Sequence, residues 1–113
     1  YDLEDRTLLF AQNIRGLAKR LPRTLANVED LKQLIRSSGS VGANYIEANE
    51  SLGTKDFLLH IKISRKEAKE SRFFLRLLDA GGQREVDEER KGLANEATEL
   101  MNIMGAIYRK SLT

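Results

Sequence analysis

The chain has 113 residues, with no cysteine, no tryptophan, one proline and one histidine. This excludes disulfides, thiolate metal sites and a cysteine nucleophile, and leaves His60 without a second imidazole to share a metal. No apolar run approaches the ~20 residues that span a bilayer, so a single cytoplasmic helical domain is expected, although a start at Tyr1 leaves room for a removed leader.

The net charge of +2 hides an uneven distribution. Residues 1–54 balance seven basic against seven acidic side chains, residues 55–78 carry seven basic against three acidic, and residues 79–99 reverse that to three against seven. Such a chain can attract a polyanion on one surface, or a second copy of itself, without being strongly basic overall.

Helical periodicity divides the chain into four segments. In the first, Leu3, Thr7, Phe10, Ile14, Leu17 and Leu21 recur at steps of four and three, the spacing of a bundle seam, until Pro22 interrupts it. The second starts near Asn27, the expected N-cap, and runs through Leu34, Ser38, Val41, Tyr45 and Ala48. Its middle, Ser37-Ser-Gly-Ser-Val-Gly-Ala43, is poor in helix formers. The apolar period stays in register across it, which predicts one helix whose small residues admit a close neighbour.

Gly53-Thr54 marks the next break, with Thr54 as N-cap of a third helix reaching about Ala80, where Gly81-Gly82 ends it. Its seam is Phe57, Ile61, Ser64, Ala68, Ser71, Leu75 and Leu78. The fourth runs from about Val86 to Lys110, acidic in its first turn and basic in its last, as the helix dipole favours. Four amphipathic helices with short connections predict an all-α, antiparallel up-down-up-down four-helix bundle in one domain, residues 1–113.

The third helix carries two features beyond its seam. Lys62, Arg65, Lys66 and Lys69, with Lys55, Arg72 and Arg76, fall within an arc of about 120° at 100° per residue. Such an arc is either a solvated face or a stripe that neutralises phosphates, the main source of nucleic-acid affinity. A second apolar stripe, Leu59, Ile63, Phe74 and Leu77, is more than one seam requires, and is expected to be a homo-oligomer interface. Catalytic constellations are weak. Glu47 and Glu50, and Glu67 and Glu70, repeat a three-residue spacing, but di-iron bundles place His at the second position. No catalytic residue, metal or cofactor is therefore expected. The carboxylates are expected to pair with Arg36, Arg72 or Arg76 between helices.

Two stretches carry a family resemblance. Arg36-Ser-Ser-Gly-Ser-Val-Gly-Ala-Asn44-Tyr-Ile-Glu47 resembles the Arg-…-Ser-(Ile/Val)-x-x-Asn-x-x-Glu signature of bacterial four-helix-bundle proteins first named for reading frames in intervening sequences of 23S ribosomal RNA genes. Thr54-Lys-Asp-Phe57 and Lys66-Glu-Ala-Lys-Glu-Ser-Arg-Phe-Phe-Leu-Arg-Leu-Leu78 resemble the family's third helix. Ala48 stands where the family usually has Gly. The resemblance implies a ring-like homopentamer, and kinship with the accessory variability determinant of diversity-generating retroelements, a pentameric bundle that binds nucleic acid and a reverse transcriptase.

Residue by residue, the resemblance covers Arg36, Asn44, Glu47, Glu67, Glu70, Arg72 and Arg76, which are expected to form a structural polar network. Glu47 is expected to sit in a buried pair. Lys62, Arg65, Lys66 and Lys69 are left to face RNA or DNA. The expected function is a non-enzymatic, homo-oligomeric nucleic-acid-binding bundle. The competing expectation is a protein-interaction scaffold or accessory subunit, with the basic stripe meeting an acidic protein surface such as the fourth helix of a neighbouring copy.

Overall fold

The computed structural model describes residues 2–113 and contains four helices: α1 (Leu3–Ala18), α2 (Leu25–Asn49), α3 (Thr54–Leu77) and α4 (Arg84–Ser111). Helix α1 packs on α2 and α4, α2 on α3, and α3 on α4, while among the described residues the backbones of the diagonal pairs do not approach closely. The α1–α2 and α3–α4 connections meet at one end of the molecule, so neighbouring helices are antiparallel. The bundle measures 47 × 22 × 19 Å.

Helix α2 is unbroken from Leu25 to Asn49, as the register across its Ser/Gly segment predicts. The small residues do serve close approach, and on two sides. Toward α3, Ser37 and Ser71 share a hydrogen bond of 2.9 Å, and Ser64 donates to the Val41 carbonyl at 2.8 Å. Toward α1, a Cβ on Gly42 would stand 2.7 Å from Thr7 Oγ1. Each hydroxyl is buried but partnered, which removes the penalty of leaving it dry and unbonded.

The helix ends correct three expectations. Thr24, not Asn27, caps α2: its hydroxyl accepts the Asn27 amide at 3.2 Å. Asn27 is instead a buried clasp between loops. Its Nδ2 donates to the carbonyls of Pro22 (2.9 Å) and Asp79 (2.8 Å), and its Oδ1 accepts the Asp79 amide (3.0 Å). Gly53 takes the N-cap position of α3, so Thr54 is the helix's first residue. Helix α3 ends at Leu77, short of Ala80, because Leu78 turns extended to bury its side chain. Gly81 then adopts φ +66°, where only glycine is unstrained, and lies against the Pro22 ring.

The main core runs from Phe10, Ile14, Leu17 and Leu34 across to Leu75, Leu93, Ala97 and Leu100. A smaller cluster of Ala48, Ile61 and Met104 closes the other end under Tyr45, Phe57 and Tyr108. Among the described residues, no helix is long and apolar enough to cross a membrane.

Candidate functional site

Helix α4 is flanked by cations on both sides, and the two sides differ in what answers them. On the α1 side, Arg6 donates to both oxygens of Glu96, at 2.8 and 2.7 Å, and to Glu99 at 3.1 Å. Arg20 pairs with Glu89. The hydrogen bonds to Glu96, and then Glu99, hold the Arg6 guanidinium above the usual arginine range.

The α3 side has little such compensation. Among the described residues, none of Lys62, Arg65, Lys66, Lys69, Arg72 and Arg76 forms an ion pair. Lys66 and Lys69 stand free on the outer surface. Lys62 lies over the Tyr108 ring, 5.8 Å from its centroid, a cation–π contact that fixes its stem. Arg65 crosses the α3–α4 junction at the buried Gly105, where a Cβ would lie 3.4 Å from Arg65 Nε and 3.3 Å from Arg109 Nη1. Glycine at that point lets two guanidinium stems lie over the helix backbone. The four expected ligand-facing cations therefore share one helix face, but two are held against α4 and two project freely.

Further along the same junction, Arg72, Arg76, Arg90 and Lys91 converge with Asn95 and Thr98 on a groove of about 450 Å³. Arg90 is fixed there by Asp87, at 2.9 and 2.7 Å, and by the Leu75 carbonyl at 2.9 Å. Those bonds to Arg90 hold the Asp87 carboxyl below its usual range.

The expected polar network divides. Arg36 spans α2 and α3, donating to Glu67 Oε2 at 3.0 Å and to Glu70 Oε1 at 2.6 Å, and Glu67 is buried. These bonds raise the Arg36 pKa. Asn44 reaches His60 Nδ1 at 3.3 Å and donates to the Ser40 carbonyl. Glu47 departs from the expectation: it is exposed and forms no ion pair among the described residues. Arg72 and Arg76 likewise have no carboxylate partner among the described residues: they face α4, on the opposite side of α3 from Glu67 and Glu70. No group of carboxylates and His60 is arranged to hold a metal among the described residues.

The second apolar stripe also divides. Phe74 packs onto the main core and meets Phe73 edge-on at 5.4 Å, whereas Leu59 and Leu77 are half-exposed. Phe73, which the stripe did not include, is 58% exposed beside them.

The family model for the 23S rRNA-intervening sequence protein matches residues 2–106. The chain belongs to that family. The crystal structure of a protein of unknown function from the S23 ribosomal protein family of Bacteroides thetaiotaomicron is similar over 95% of this chain and 98% of its own, with 30% sequence identity and a TM-score of 0.78. No curated protein matches the chain. As a 23S rRNA-intervening sequence protein, the molecule combines the family's four-helix fold with a cationic junction between α3 and α4, where Asp87 answers Arg90 and Lys91 and no described carboxylate answers Arg65, Arg72 and Arg76.

Sequence reasoning located the α3 half of that junction and missed the α4 half. Arg109 reads in the sequence only as a last-turn cation that suits the helix dipole. At 100° per residue, however, Arg90, Lys91 and Arg109 share an arc of α4 that holds Asp87 but excludes Glu85, Glu89, Glu96 and Glu99. That segregation was the available signal.

Proposed function

We propose that this protein is a non-enzymatic, homo-oligomeric nucleic-acid-binding bundle that holds RNA or DNA by its phosphates, with Lys62, Arg65, Lys66 and Lys69 as the contact face. The observation carrying this reading is that the α3 cations lack carboxylate partners while those facing α1 have them. A cation already paired within the chain releases little on meeting a phosphate, whereas a free one displaces condensed counterions.

Self-association is the second part of the proposal. The exposed Leu59, Phe73 and Leu77 form an apolar edge beside the cations, which a second copy would cover. The motif resemblance suggests five subunits, and kinship with the retroelement accessory determinant belongs to the same proposal. The span from Lys62 to Lys69 is about 10 Å at 1.5 Å per residue, so one subunit meets few phosphates and useful affinity comes from several subunits on one strand. The scaffold reading is less well supported. Of the carboxylates on α4, Asp87, Glu88, Glu89, Glu96 and Glu99 are already engaged within the chain, leaving few to receive a neighbour's basic stripe.

Fluorescence anisotropy with labelled single-stranded RNA and DNA tests the proposal. The wild type should bind weakly, with little sequence preference and a strong salt dependence. Changing Lys62, Arg65, Lys66 and Lys69 together to Gln should abolish most binding while sedimentation still gives the wild-type mass. Unchanged binding by a variant of unchanged mass makes the face merely solvated. A single 12.8 kDa species at micromolar concentration removes the homo-oligomer.

A further inference from the structure

The α3–α4 groove at Arg72 and Arg76 differs from the open face beside it. It is a shallow groove with walls from two helices, and four cationic side chains line it, two from each helix. Like charges facing one another across a groove repel, and the repulsion is felt most where water is partly excluded. No carboxylate is among the groove's described lining residues, and Asp87, just outside it, is already shared by Arg90 at 2.7 Å and Lys91 at 3.3 Å. Arg72 and Arg76 have no carboxylate partner among the described residues.

The donors are also partly pre-set. Arg90 is anchored by Asp87 and the Leu75 carbonyl, so its charge is fixed at the groove wall. The Thr98 hydroxyl donates to the Ala94 carbonyl at 3.1 Å and is left as an acceptor, while the Asn95 amide adds neutral donors at the rim. Arg72 and Arg76 are one helical turn apart on α3, about 6 Å along its axis, and guanidinium forks match phosphate oxygens in pairs. The groove is large for one inorganic anion and open along its length, which suits a chain of phosphates better than a single ion.

We propose that the groove lined by Arg72, Arg76, Arg90 and Lys91 is a phosphate-chain binding site, seating consecutive phosphates of an extended polyanion between α3 and α4. This deepens the nucleic-acid reading and rests on it for the source of the phosphates. The same chemistry is offered by inorganic polyphosphate. Arg72 and Arg76 are the side chains that grip, and Arg90 is the positioning residue that keeps the α4 wall cationic. The site extends the contact from the outer face of α3 toward the Asn27 end of the bundle, so that one strand can pass from Lys62 to Arg76.

The double variant Arg72→Gln/Arg76→Gln tests this, with the open-face variant as control. Both are first checked for wild-type mass and helix content. Two measurements follow: the salt slope of binding to a labelled single-stranded RNA, and the shift of melting temperature with inorganic tripolyphosphate. Loss of two phosphate contacts should lower the log–log slope by about 1.4, at roughly 0.7 per contact on a single strand. Tripolyphosphate should raise the melting temperature of the wild type and of the open-face variant, but not of the groove variant. If the wild type binds no RNA yet tripolyphosphate stabilises it through Arg72 and Arg76, the nucleic-acid reading fails and the groove stands as a polyphosphate site. If the groove variant keeps both the wild-type slope and the tripolyphosphate shift, or if tripolyphosphate stabilises none of the proteins, the groove proposal is overturned. It is also overturned if the groove variant loses its oligomeric mass, because the groove is then a subunit contact.

Discussion

The two sides of α4 make a controlled comparison within one molecule. Both present arginines from a neighbouring helix to the same backbone. Against α1, Arg6 and Arg20 meet Glu96, Glu99 and Glu89, and the charges cancel across the interface. Against α3, Arg65 meets Arg109 over Gly105, and Arg72 and Arg76 meet Arg90 and Lys91. The first arrangement holds helices together. The second costs stability, slightly, and a fold keeps such a feature when something outside the chain supplies the missing anion.

Removing a cation from each side should break that symmetry most visibly. Arg6→Ala leaves the partly buried Glu96 unpaired beside the exposed Glu99, and strips a packed stem. It should cost ~1–2 kcal/mol, between an exposed and a fully buried pair, and lower the melting temperature by several degrees. Arg72→Gln/Arg76→Gln should change stability by less than ~0.5 kcal/mol, with the sign toward stabilisation at low salt. Calorimetry of the two variants checks both. A large loss from the groove variant would mean that its arginines are structural after all.

Smaller effects sharpen the contrast. Because the Asp87 carboxyl is held low by Arg90, its contribution is present above the ordinary aspartate range and disappears as pH falls through the lowered folded value. Asp87→Asn should therefore melt below the wild type at pH 6, and the gap should close as pH falls through the lowered folded value. Smallest of all is Glu47→Gln. Glu47 is exposed and unpaired among the described residues, so the substitution should shift the melting temperature by about a degree at most, and a many-degree loss would restore it to a buried pair.

The architecture was legible because period and punctuation agree. The seam residues Phe10, Ile14, Leu34, Ile61, Leu75 and Leu100 are all buried, and the Ser/Gly stretch of α2 declared itself by keeping register. Helix boundaries were less so. Asn27 reads as a cap on its own, and only the arrival of Asp79 from 52 residues away makes it a clasp. The site was half legible. Charge clustering along α3 is a one-dimensional signal, but which carboxylates are spent depends on neighbours in space. Arg36 takes both Glu67 and Glu70 across the α2–α3 contact, whereas Arg72 and Arg76 stand on the α4 side of α3 and Glu47 is exposed, so the partners their spacing suggested are not theirs.

The most direct test of the cationic α3–α4 junction is an NMR titration that follows arginine side-chain Nε–H signals as single-stranded RNA is added. Each arginine then reports on its own side of α4. Shifts confined to Arg65, Arg72 and Arg76, with Arg6 and Arg20 unmoved, are the predicted result. Equal shifts on both sides, or movement of Arg6 and Arg20 alone, would contradict it.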